Sequence, residues 1–537
     1  MTRIFKQILA DRGLDESFLH PKYEDLFDPY LMKGVTESVK RIERARDAQE
    51  KIIIYGDYDA DGVSSSVVCQ NALKEFGCED IEIMLPNRFT DGYGLNEPAV
   101  PEIVKRGAKL VITVDCGSGS EVVIKLLRDQ GIDTIVTDHH EIPKVPASAL
   151  AVINPKRRGE KYGLNMAGVG VVFTLARALN MRKNGGKTDG QEKWLLDMVA
   201  LGTVCDSMVL REENRIMVYY GMIVLSKTRR RGLQELAKVA KCHLDKMTTR
   251  AIGFQLGPRV NAAGRMKSAD LALDLMLADS RAESQSLAVE LDGLNQARRD
   301  AQDKAVKEVG ESFGDDPVII ACGKWHEGIV GIVAGRLVEL YHRPAFALTD
   351  LGDGTLKGSG RSFGDFSLAE ALQACSEGLL LSGGGHAGAC GLSFDKKRLG
   401  DFRKQITDYY LSLNLKDQER YLRQKSDIVL DNLSEISVEL FDEISQLEPF
   451  GNGNEEPIFE YAGRVSAQRI LKEKHLSLTM SDGERELRLM AFYASSEWMA
   501  VKTGDRVRVQ FTLTKNEWGG QTKIEGAIIS LEVIEKI

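Results

Sequence analysis

The stretch KIIIYGDYDADG, residues 51–62, joins an apolar run directly to three closely spaced carboxylates, Asp57, Asp59 and Asp61. The apolar run has the composition of a buried strand, so the three acids stand where that strand ends. Carboxylates this close repel one another, and burying them is costly unless a positive charge lies between them. The pattern therefore indicates a divalent cation at the end of this strand.

The same alternation of apolar runs and amphipathic stretches continues for about a hundred residues beyond this point. It predicts a parallel, doubly wound α/β sheet whose strands are the runs 51–55, 81–85, 110–114, 132–137 and 150–153. A mainly helical section follows, from residue 166 to about residue 277. Residues 282–310 are charged with few apolar positions, which predicts a long, largely solvated connecting helix.

The C-terminal half shows two further changes of pattern. A second α/β unit starts at Val318, and beyond the turn cluster at 449–454 the sequence alternates like the strands of a small β-barrel. The sequence thus predicts an N-terminal segment (1–45), a catalytic domain with a helical extension (46–281), the connecting helix (282–310), a smaller α/β domain (311–412), a helical linker (413–454) and a barrel (455–537).

Bulk properties exclude several classes of protein. The 537 residues contain no apolar run of ~18 residues, and the N-terminus lacks the apolar core of a secretory signal. The eight cysteines are dispersed without a C-x-x-C pair, which argues against zinc ribbons and disulfide frameworks. We therefore expect a cytoplasmic protein without a membrane partner. The net charge of −8 neither favours nor excludes nucleic acid, because a local basic groove decides such binding.

Two more predicted strands end in acids or histidines. Asp115 follows the run 110–114, and Asp138, His139 and His140 follow the run 132–137. Ligands bind at the carboxyl ends of the strands of an open α/β sheet, so these side chains are expected to share one crevice with the first three acids. Asp206, at the end of an apolar helix, is expected to join them. A single acid at a strand end is usually a helix cap, and Asp138 is open to that interpretation.

This set of carboxylates and imidazoles suits Mn²⁺ or Mg²⁺ better than zinc, which favours cysteine and fewer ligands. The ligands are too many for one ion. Two ions that share a bridging aspartate fit better, and such pairs are typical of phosphoester hydrolysis.

Four motifs carry a family resemblance. Asp57-Tyr-Asp-Ala-Asp-Gly62, Val114-Asp-Cys-Gly117, Asp138-His-His140 and Gly202-Thr-Val-Cys-Asp206 resemble, in order, the motifs of the DHH phosphoesterase superfamily. The resemblance implies that His140 orients the site or touches phosphate. It implies metal ligands, with Asp115 bridging the two ions, at Asp57, Asp59, Asp61, Asp115, His139 and Asp206.

The second α/β unit offers candidate phosphate contacts. The run LSGGGHAG, 381–388, can bring backbone N–H groups close to a phosphate, and GSGRS, 358–362, adds a guanidinium suited to phosphate. These stretches resemble the DHHA1 domain that accompanies many DHH domains, which implies a catalytic cleft between the two domains. The candidate residues are Arg361, Ser362, Gly384, Gly385 and His386.

Two stretches narrow the choice of substrate. LGPRVNAAGR, 256–265, is expected to place Arg259, Asn261 and Arg265 in a loop that holds phosphates, although the two arginines could instead form salt links between domains. This stretch and WHEGIVGIVAGR, 325–336, resemble the RecJ family of bacterial single-strand-specific 5′→3′ DNA exonucleases. The resemblance implies release of 5′-mononucleotides in DNA repair and recombination.

The same resemblance implies that the barrel is an OB-fold, from which single-stranded DNA threads into the cleft. OB-folds bind single strands through basic and aromatic side chains. The candidates here are Arg464, Arg469, Lys472, Lys474, Arg506, Arg508, Lys515 and Trp518.

Two alternatives remain open at this point. A DHH phosphodiesterase for nano-RNA or cyclic dinucleotides typically lacks the barrel, and a non-catalytic scaffold would have lost ligand residues. The favoured interpretation is a monomeric nuclease whose partners are single-stranded DNA and, by resemblance, a single-strand-binding protein and a helicase.

Overall fold

In the computed structural model of the protein, the described residues are 1–92, 94–310, 312–415, 425–518 and 521–536. The chain divides into two compact units, one of residues 27–208 and 220–423, the other of residues 1–26, 209–219 and 424–537. No helix in these described ranges is long and apolar enough to cross a lipid bilayer.

The chain begins with two short helices, α1 (Arg3–Arg12) and α2 (Glu16–Leu19). Both belong to the unit that contains the C-terminal barrel. Ile4, Phe5 and Ile8 of α1 are buried in the same hydrophobic cluster as the barrel strands.

The predicted parallel sheet is confirmed. Its five strands pair in parallel in the order β2-β1-β3-β4-β5. Strands β1 and β3 are buried along their whole length, as expected for a parallel sheet covered on both faces. The elements are α3 (Val35–Asp47), β1 (Ile52–Tyr55), α4 (Ala60–Phe76), β2 (Ile81–Met84), α5 (Ala99–Lys105), β3 (Leu110–Val114), α6 (Glu121–Asp129), β4 (Asp133–Thr137) and β5 (Ala151–Ile153).

The helical section is also present. It comprises α7 (Gly168–Lys183), α8 (Leu196–Cys205), α9 (Glu212–Ser226), α10 (Arg231–Val239), α11 (Thr249–Ala251), α12 (Gly257–Met266), α13 (Asp270–Leu277) and α14 (Arg281–Val309). Helix α14 is the predicted connecting helix; its 29 residues span ~43 Å.

The loop predicted over 256–265 is wrong, because this stretch is helix α12, entered through the π-helical segment Ile252–Leu256. Pro258 lies in the first turn of α12, directly after the π-helical segment, and such a local change in the helical hydrogen-bond pattern accommodates a residue that has no N–H. The glycines of this stretch allow close packing. A Cβ on Gly264 would lie 2.6 Å from the carbonyl oxygen of Tyr58, within the acidic stretch.

The second α/β domain has a mixed sheet in the order β6-β7-β8-β10-β9. Only β6 and β7 pair in parallel, and β8, β10 and β9 run antiparallel. The elements are β6 (Ile319–Gly323), α15 (Val330–Tyr341), β7 (Ala345–Asp350), β8 (Thr355–Arg361), α16 (Leu368–Gln373), β9 (Ser382–Gly385), β10 (Ala389–Asp395) and α17 (Leu399–Ser412).

The C-terminal region is the predicted barrel. Strands β12, β13, β14, β16 and β15 pair in that order, and β15 pairs with β12 to close it. Of the predicted linker, residues 416–424 lie outside the described residues. The elements are β11 (Ile428–Val429), α18 (Val438–Ser445), β12 (Phe459–Leu471), β13 (His475–Ser481), β14 (Glu486–Ala491), α19 (Ser496–Met499), β15 (Arg506–Trp518) and β16 (Gln521–Glu535).

Candidate metal centre and neighbouring arginines

Three adjacent strands deliver the candidate ligands to one edge of the parallel sheet. Strands β1, β3 and β4 are neighbours, so the residues that follow them meet at their carboxyl ends. Asp206 comes from elsewhere, as the residue that ends α8. Together these side chains form what we call the metal cluster: Asp57, Asp59, Asp61, Asp115, His139, His140 and Asp206.

Backbone N–H groups orient the first carboxylates. Asp59 caps helix α4, since its Oδ1 accepts hydrogen bonds from the N–H groups of Asp61 (2.9 Å) and Gly62 (3.1 Å). The Asp61 carboxylate accepts from the first N–H groups of helix α7, those of Gly168 (2.7 Å) and Val169 (3.0 Å). The positive end of α7 therefore holds Asp61 in place.

Two glycines make room for the carboxylates. A Cβ on Gly168 would lie 2.5 Å from Oδ1 of Asp115, and one on Gly202 would lie 2.6 Å from Oδ1 of Asp61. Asp115 itself has a φ of 59°, a left-handed conformation that costs energy in a non-glycine residue. Helices α7 and α8 can pack this close to the acids only because these positions carry no side chain.

The side chains of the cluster lie close enough together to bind the same ions. Nε2 of His139 lies 3.2 Å from Oδ1 of Asp115 and 3.6 Å from Oδ2 of Asp206. Three groups of residues each offer ligand atoms within 4.8 Å of one another, and Asp115 and His139 each belong to two groups. The groups are Asp57, Asp59 and Asp115; Asp61, His139 and Asp206; and Asp115, His139 and His140.

Asp138 supports the two histidines from behind. Its Oδ1 accepts from the backbone N–H groups of His139 (2.7 Å) and His140 (3.1 Å) and lies 2.8 Å from Nδ1 of His140. Burial alone would raise the pKa of Asp138, but the hydrogen bonds from His140 outweigh it and lower that pKa. The same contact raises the pKa of His140 although burial opposes it. Asp138 is thus a positioning residue.

The electrostatics of the cluster call for a cation. Burial raises the pKa values of Asp57, Asp61 and Asp115 well above their usual range, and the neighbouring acids raise them further. Burial and Asp59 raise the pKa of Asp206 to about 7, and burial lowers the pKa of His139 to about 4.

One buried oxygen, Oδ1 of Asp57, has no hydrogen-bond partner among the described residues. Crowded carboxylates with an uncompensated buried oxygen, beside a neutral imidazole, match the oxygen-rich donor set that Mn²⁺ and Mg²⁺ prefer. The residues present therefore fit such ions.

Four arginines gather beside this cluster, and we call them the arginine cluster: Arg88, Arg265, Arg298 and Arg361. Burial, together with the charges of the other three arginines, lowers the pKa of Arg265 to about 10, and Asp59 opposes this shift. Within the described part of the chain, no carboxylate lies within 4 Å of any of the four guanidinium groups. Half-buried like charges without counter-ions favour an anion such as phosphate.

The arginine cluster joins the two α/β domains. Arg88 follows β2 and lies over the ring of Tyr58, 5.0 Å from its centre. Arg265 lies on α12 and donates to the carbonyl of Gly328 (3.4 Å), and Arg298 lies on α14 with a buried, unpartnered Nε. Arg361 ends strand β8.

Arg259 and Asn261 make other contacts. Arg259 is buried and pairs with Asp292 (2.8 Å), while its Nη1 donates to the carbonyl of Gln255 (2.7 Å). The Oδ1 atom of Asn261 accepts from the N–H of Ala60 (2.8 Å) and so ties α12 to the acidic stretch. The salt-link interpretation fits Arg259, and the contact of Asn261 with Ala60 lets it position the acidic stretch.

Part of the glycine run forms a strand. Residues 382–385 are the exposed edge strand β9, in which Gly385 pairs with Cys390 of β10. On the other side of β10, Ala389 pairs with Arg361, so the run and Arg361 lie at the same end of the sheet. His386 is exposed, and the Ser362 hydroxyl donates to the carbonyl of Phe366.

Two members of the arginine cluster escaped the sequence analysis. Arg88 follows a strand of the same parallel sheet, so the rule that located the acids also applies to it. Arg298 lies within a helix that reads as solvated, and only the packing of α14 against α12 and α15 brings it to the site.

Family models match three parts of the chain: "DHH family, N-terminal domain" at residues 51–203, "DHHA1 domain" at 315–411 and "RecJ OB domain" at 427–530. The single-stranded-DNA-specific exonuclease RecJ of Bacillus subtilis is 34% identical over 97% of this chain and 67% of its own length. That of Dickeya dadantii is 33% identical over 97% of this chain and 94% of its own length.

Solved structures show the same likeness. The crystal structure of Thermus thermophilus RecJ in complex with Mn²⁺ has a TM-score of 0.84, at 28% identity over 99% of this chain and 76% of that chain. Its complex with Mg²⁺ has a TM-score of 0.78, at 26% identity over 100% of this chain and 75% of that chain.

Proposed function

Because the chain belongs to the RecJ family of single-stranded-DNA-specific exonucleases, we propose that it degrades single-stranded DNA from the 5′ end with Mn²⁺ or Mg²⁺ as cofactor. The observation that carries the proposal is the metal cluster facing the arginine cluster within one compact unit. The alternative substrates, nano-RNA and cyclic dinucleotides, are not favoured, because the RecJ OB domain occupies residues 427–530.

We assign the metal cluster to two ions. Asp57, Asp59 and Asp115 would hold one ion, and Asp61, His139 and Asp206 the other, with Asp115 close enough to His139 to bridge them. When bound, such a pair of ions activates water and stabilises the charge that develops on the phosphate oxygens.

The chain's own residues then hold the strand in place. The arginine cluster would bind the phosphates on either side of the bond to be cut, since guanidinium groups match phosphate geometry. His140, held through Nδ1 by Asp138, leaves Nε2 as the nitrogen that can contact a phosphate oxygen. The edge of β9 and the exposed His386 would extend the phosphate contacts beyond Arg361.

The barrel would bind the single-stranded DNA at a separate surface. Several basic candidates pair with acids: Arg464 with Glu535, Arg508 with Glu532 and Lys515 with Asp442. The candidates Arg469, Lys472 and Lys474 have no such partner in the described part of the barrel. The Trp518 side chain lies outside the described residues.

Beside these free cations stand two aromatic residues that the sequence analysis missed. Phe492 and Tyr493 are 66% and 79% exposed, and each ring packs edge-on against His475 at 5.5 and 5.0 Å. Exposed aromatic rings beside basic side chains are the means by which OB-folds stack and track single strands. We propose that this platform of Lys472, Lys474, Phe492 and Tyr493 holds single-stranded DNA.

The deciding experiment compares end-labelled substrates. Single-stranded DNA labelled at the 5′ or the 3′ end, the matching duplex and the matching RNA are incubated with Mn²⁺, Mg²⁺ or EDTA. We expect immediate release of mononucleotide from the 5′ label, gradual shortening of the 3′-labelled strand, and little cleavage of duplex or RNA. Immediate release from the 3′ label would contradict the polarity, and equal cleavage in EDTA would contradict the metal assignment.

The remaining expectations stay predictions. All eight cysteines are free thiols, which accords with a reducing, cytoplasmic location. A single-strand-binding protein, a helicase and a monomeric state are proposed on the family resemblance alone.

A further inference from the structure

A cavity separate from the metal cluster, which we call the basic cavity, lies beside α4 and α8. It is near the ends of these two helices that are remote from the metal cluster. It has a volume of about 710 Å³. Asn71 in its lining is ten residues along α4 from Asp61, and Asp197 is nine residues before Asp206; each helical interval spans ~14–15 Å. The cavity contains no residue of the metal cluster or the arginine cluster.

A buried polar network forms the floor of the basic cavity. Asp197 is buried, accepts a hydrogen bond from the hydroxyl of Thr228 (2.7 Å) and pairs with Nε of Arg230 (3.2 Å). With its amide oxygen turned toward Arg230, Asn71 accepts from both terminal nitrogens at 2.7 and 3.0 Å. A buried ion pair contributes little net stability because desolvation offsets the attraction, but it fixes Arg230 in one orientation.

The two neighbours of Arg230 point outward as a result. Arg229 and Arg231 are exposed on either side of the anchored residue, and Lys74 is exposed on α4 across the cavity. The Arg229 guanidinium lies over the Trp194 ring, 3.9 Å from its centre. None of Lys74, Arg229 and Arg231 forms an ion pair with a carboxylate among the described residues.

Two acids also line the cavity. Glu75 is engaged by Asn180 (3.3 Å) and Lys183 (4.0 Å), and Asp279 is exposed at the rim. The three unpaired cations therefore leave the rim with a local excess of positive charge. A rim of this kind, beside a half-exposed indole and a stacked guanidinium, offers both halves of a nucleotide site: cations for phosphate and a flat face for a base.

We propose that the basic cavity binds a nucleoside phosphate at a site separate from the metal cluster. The base would stack on the Arg229–Trp194 pair, and the phosphate would lie between Lys74 and Arg231. The same chemistry is offered by a free mononucleotide and by a nucleotide within a single strand, and the two sources are separated by experiment.

The first experiment titrates the Mn²⁺-loaded, full-length protein with dTMP by calorimetry. The Arg229→Ala/Arg231→Ala double variant is expected to bind dTMP at this site at least about tenfold more weakly, because one charge-assisted phosphate contact and one stacking contact to the base are removed. It should cleave a short labelled oligonucleotide within about twofold of the parent rate, since neither residue belongs to the metal or arginine cluster. The matched control, Lys187→Ala/Lys404→Ala, removes two exposed cations elsewhere and should bind as the parent does.

A second titration uses dT12 and carries the same substitutions in the Asp59→Ala variant. This variant should not degrade the oligonucleotide. Loss of dTMP affinity in the double variant assigns the site to free nucleotide, and loss of dT12 affinity alone assigns it to the strand. Unchanged affinity for both ligands overturns the proposal. Trp194→Leu should weaken dTMP but not inorganic phosphate; equal affinity of dTMP for Trp194→Leu and the parent overturns the assignment of the base.

Discussion

In the metal cluster, six of seven side chains follow the ends of three strands of one sheet. The four arginines come from a loop of the first α/β domain, from helices α12 and α14, and from a strand of the second α/β domain. The acids are close together because the strands that carry them are hydrogen-bonded neighbours. The arginines are close together only because α12 and α14 pack against each other and the segment Glu327–Ile329 of the second α/β domain packs against α12.

This difference separates two kinds of functional residue. The negative cluster is a local consequence of parallel strands that end at the same edge. The positive cluster depends on the docking of one domain on another, and it is therefore the part of the site that distant changes in packing can disturb. We therefore expect substitutions in the two clusters to have different effects on activity.

The largest effect is expected from the metal cluster itself. Asp115→Ala removes the residue shared by two ligand groups and should lower exonuclease turnover more than about 1,000-fold, because charge on the phosphate oxygens is no longer stabilised. Binding of dT12, measured by fluorescence anisotropy, should change less than about threefold. Asp129→Ala, an exposed acid outside the cluster, is the control, and near-normal turnover of Asp115→Ala with Mn²⁺ would contradict the site.

The arginine cluster should respond more moderately. Arg361→Ala should lower kcat/KM about 100-fold through loss of one phosphate contact, and Arg361→Lys should restore only part of it, because lysine lacks the planar fork. Arg259→Ala is the matched comparison: it leaves Asp292 unpaired, so it should lower Tm while kcat/KM of the folded protein stays within about threefold. An equal loss of kcat/KM in both variants would show that Arg259 acts with the cluster.

A smaller effect is expected from the close approach of α7. Gly168→Ala puts a methyl group 2.5 Å from Oδ1 of Asp115 and should weaken Mn²⁺ binding about 10- to 100-fold by displacing that carboxylate. Gly293→Ala, at a position on α14 with open space around its Cβ, should leave Mn²⁺ binding unchanged. Calorimetric titration with Mn²⁺ measures both, and equal affinities would show that the acids tolerate the displacement.

The smallest effect is a pH dependence of stability that metal abolishes. The pKa of Asp206, about 7, and those of Asp57, Asp61 and Asp115 are raised in the folded state, so the metal-free fold binds more protons than the unfolded chain. Stability must then fall as pH rises through that window. Above pH ~6.5 the histidines of the unfolded chain are largely neutral. The lowered pKa of His139 in the folded protein therefore does not oppose this trend.

We therefore expect the Tm of the metal-free protein to fall by a few degrees between pH 6.5 and 8, and the Tm of the Mn²⁺-loaded protein to stay nearly constant. Asp206→Asn should reduce the fall, since it removes one of the titrating carboxylates. A metal-free Tm that rises over this pH range would show that the carboxylates are not strained in the fold.

The contrast between the clusters also appears in what the sequence analysis achieved. Alternating apolar runs located every strand of the first sheet, because parallel strands are buried on both faces and need no information from distant residues. The loop predicted for the stretch 256–265 is wrong, although proline and glycine are usually turn residues. In the structure proline occupies the first turn of α12, and Gly264 admits the backbone of Tyr58, which depends on a contact across 200 residues of sequence.

The sequence by itself determined the α/β sheets, the connecting helix, the barrel and the identity of the acids and histidines, since each follows from periodicity or from position at a strand end. Only the tertiary structure decided that Arg259 pairs with Asp292, that Asn261 supports the acidic stretch, and that Arg88 and Arg298 join Arg265 and Arg361. The physical reason is that a strand is buried because its own residues are apolar. The partner of a charged side chain, in contrast, depends on how segments far apart in the chain pack together.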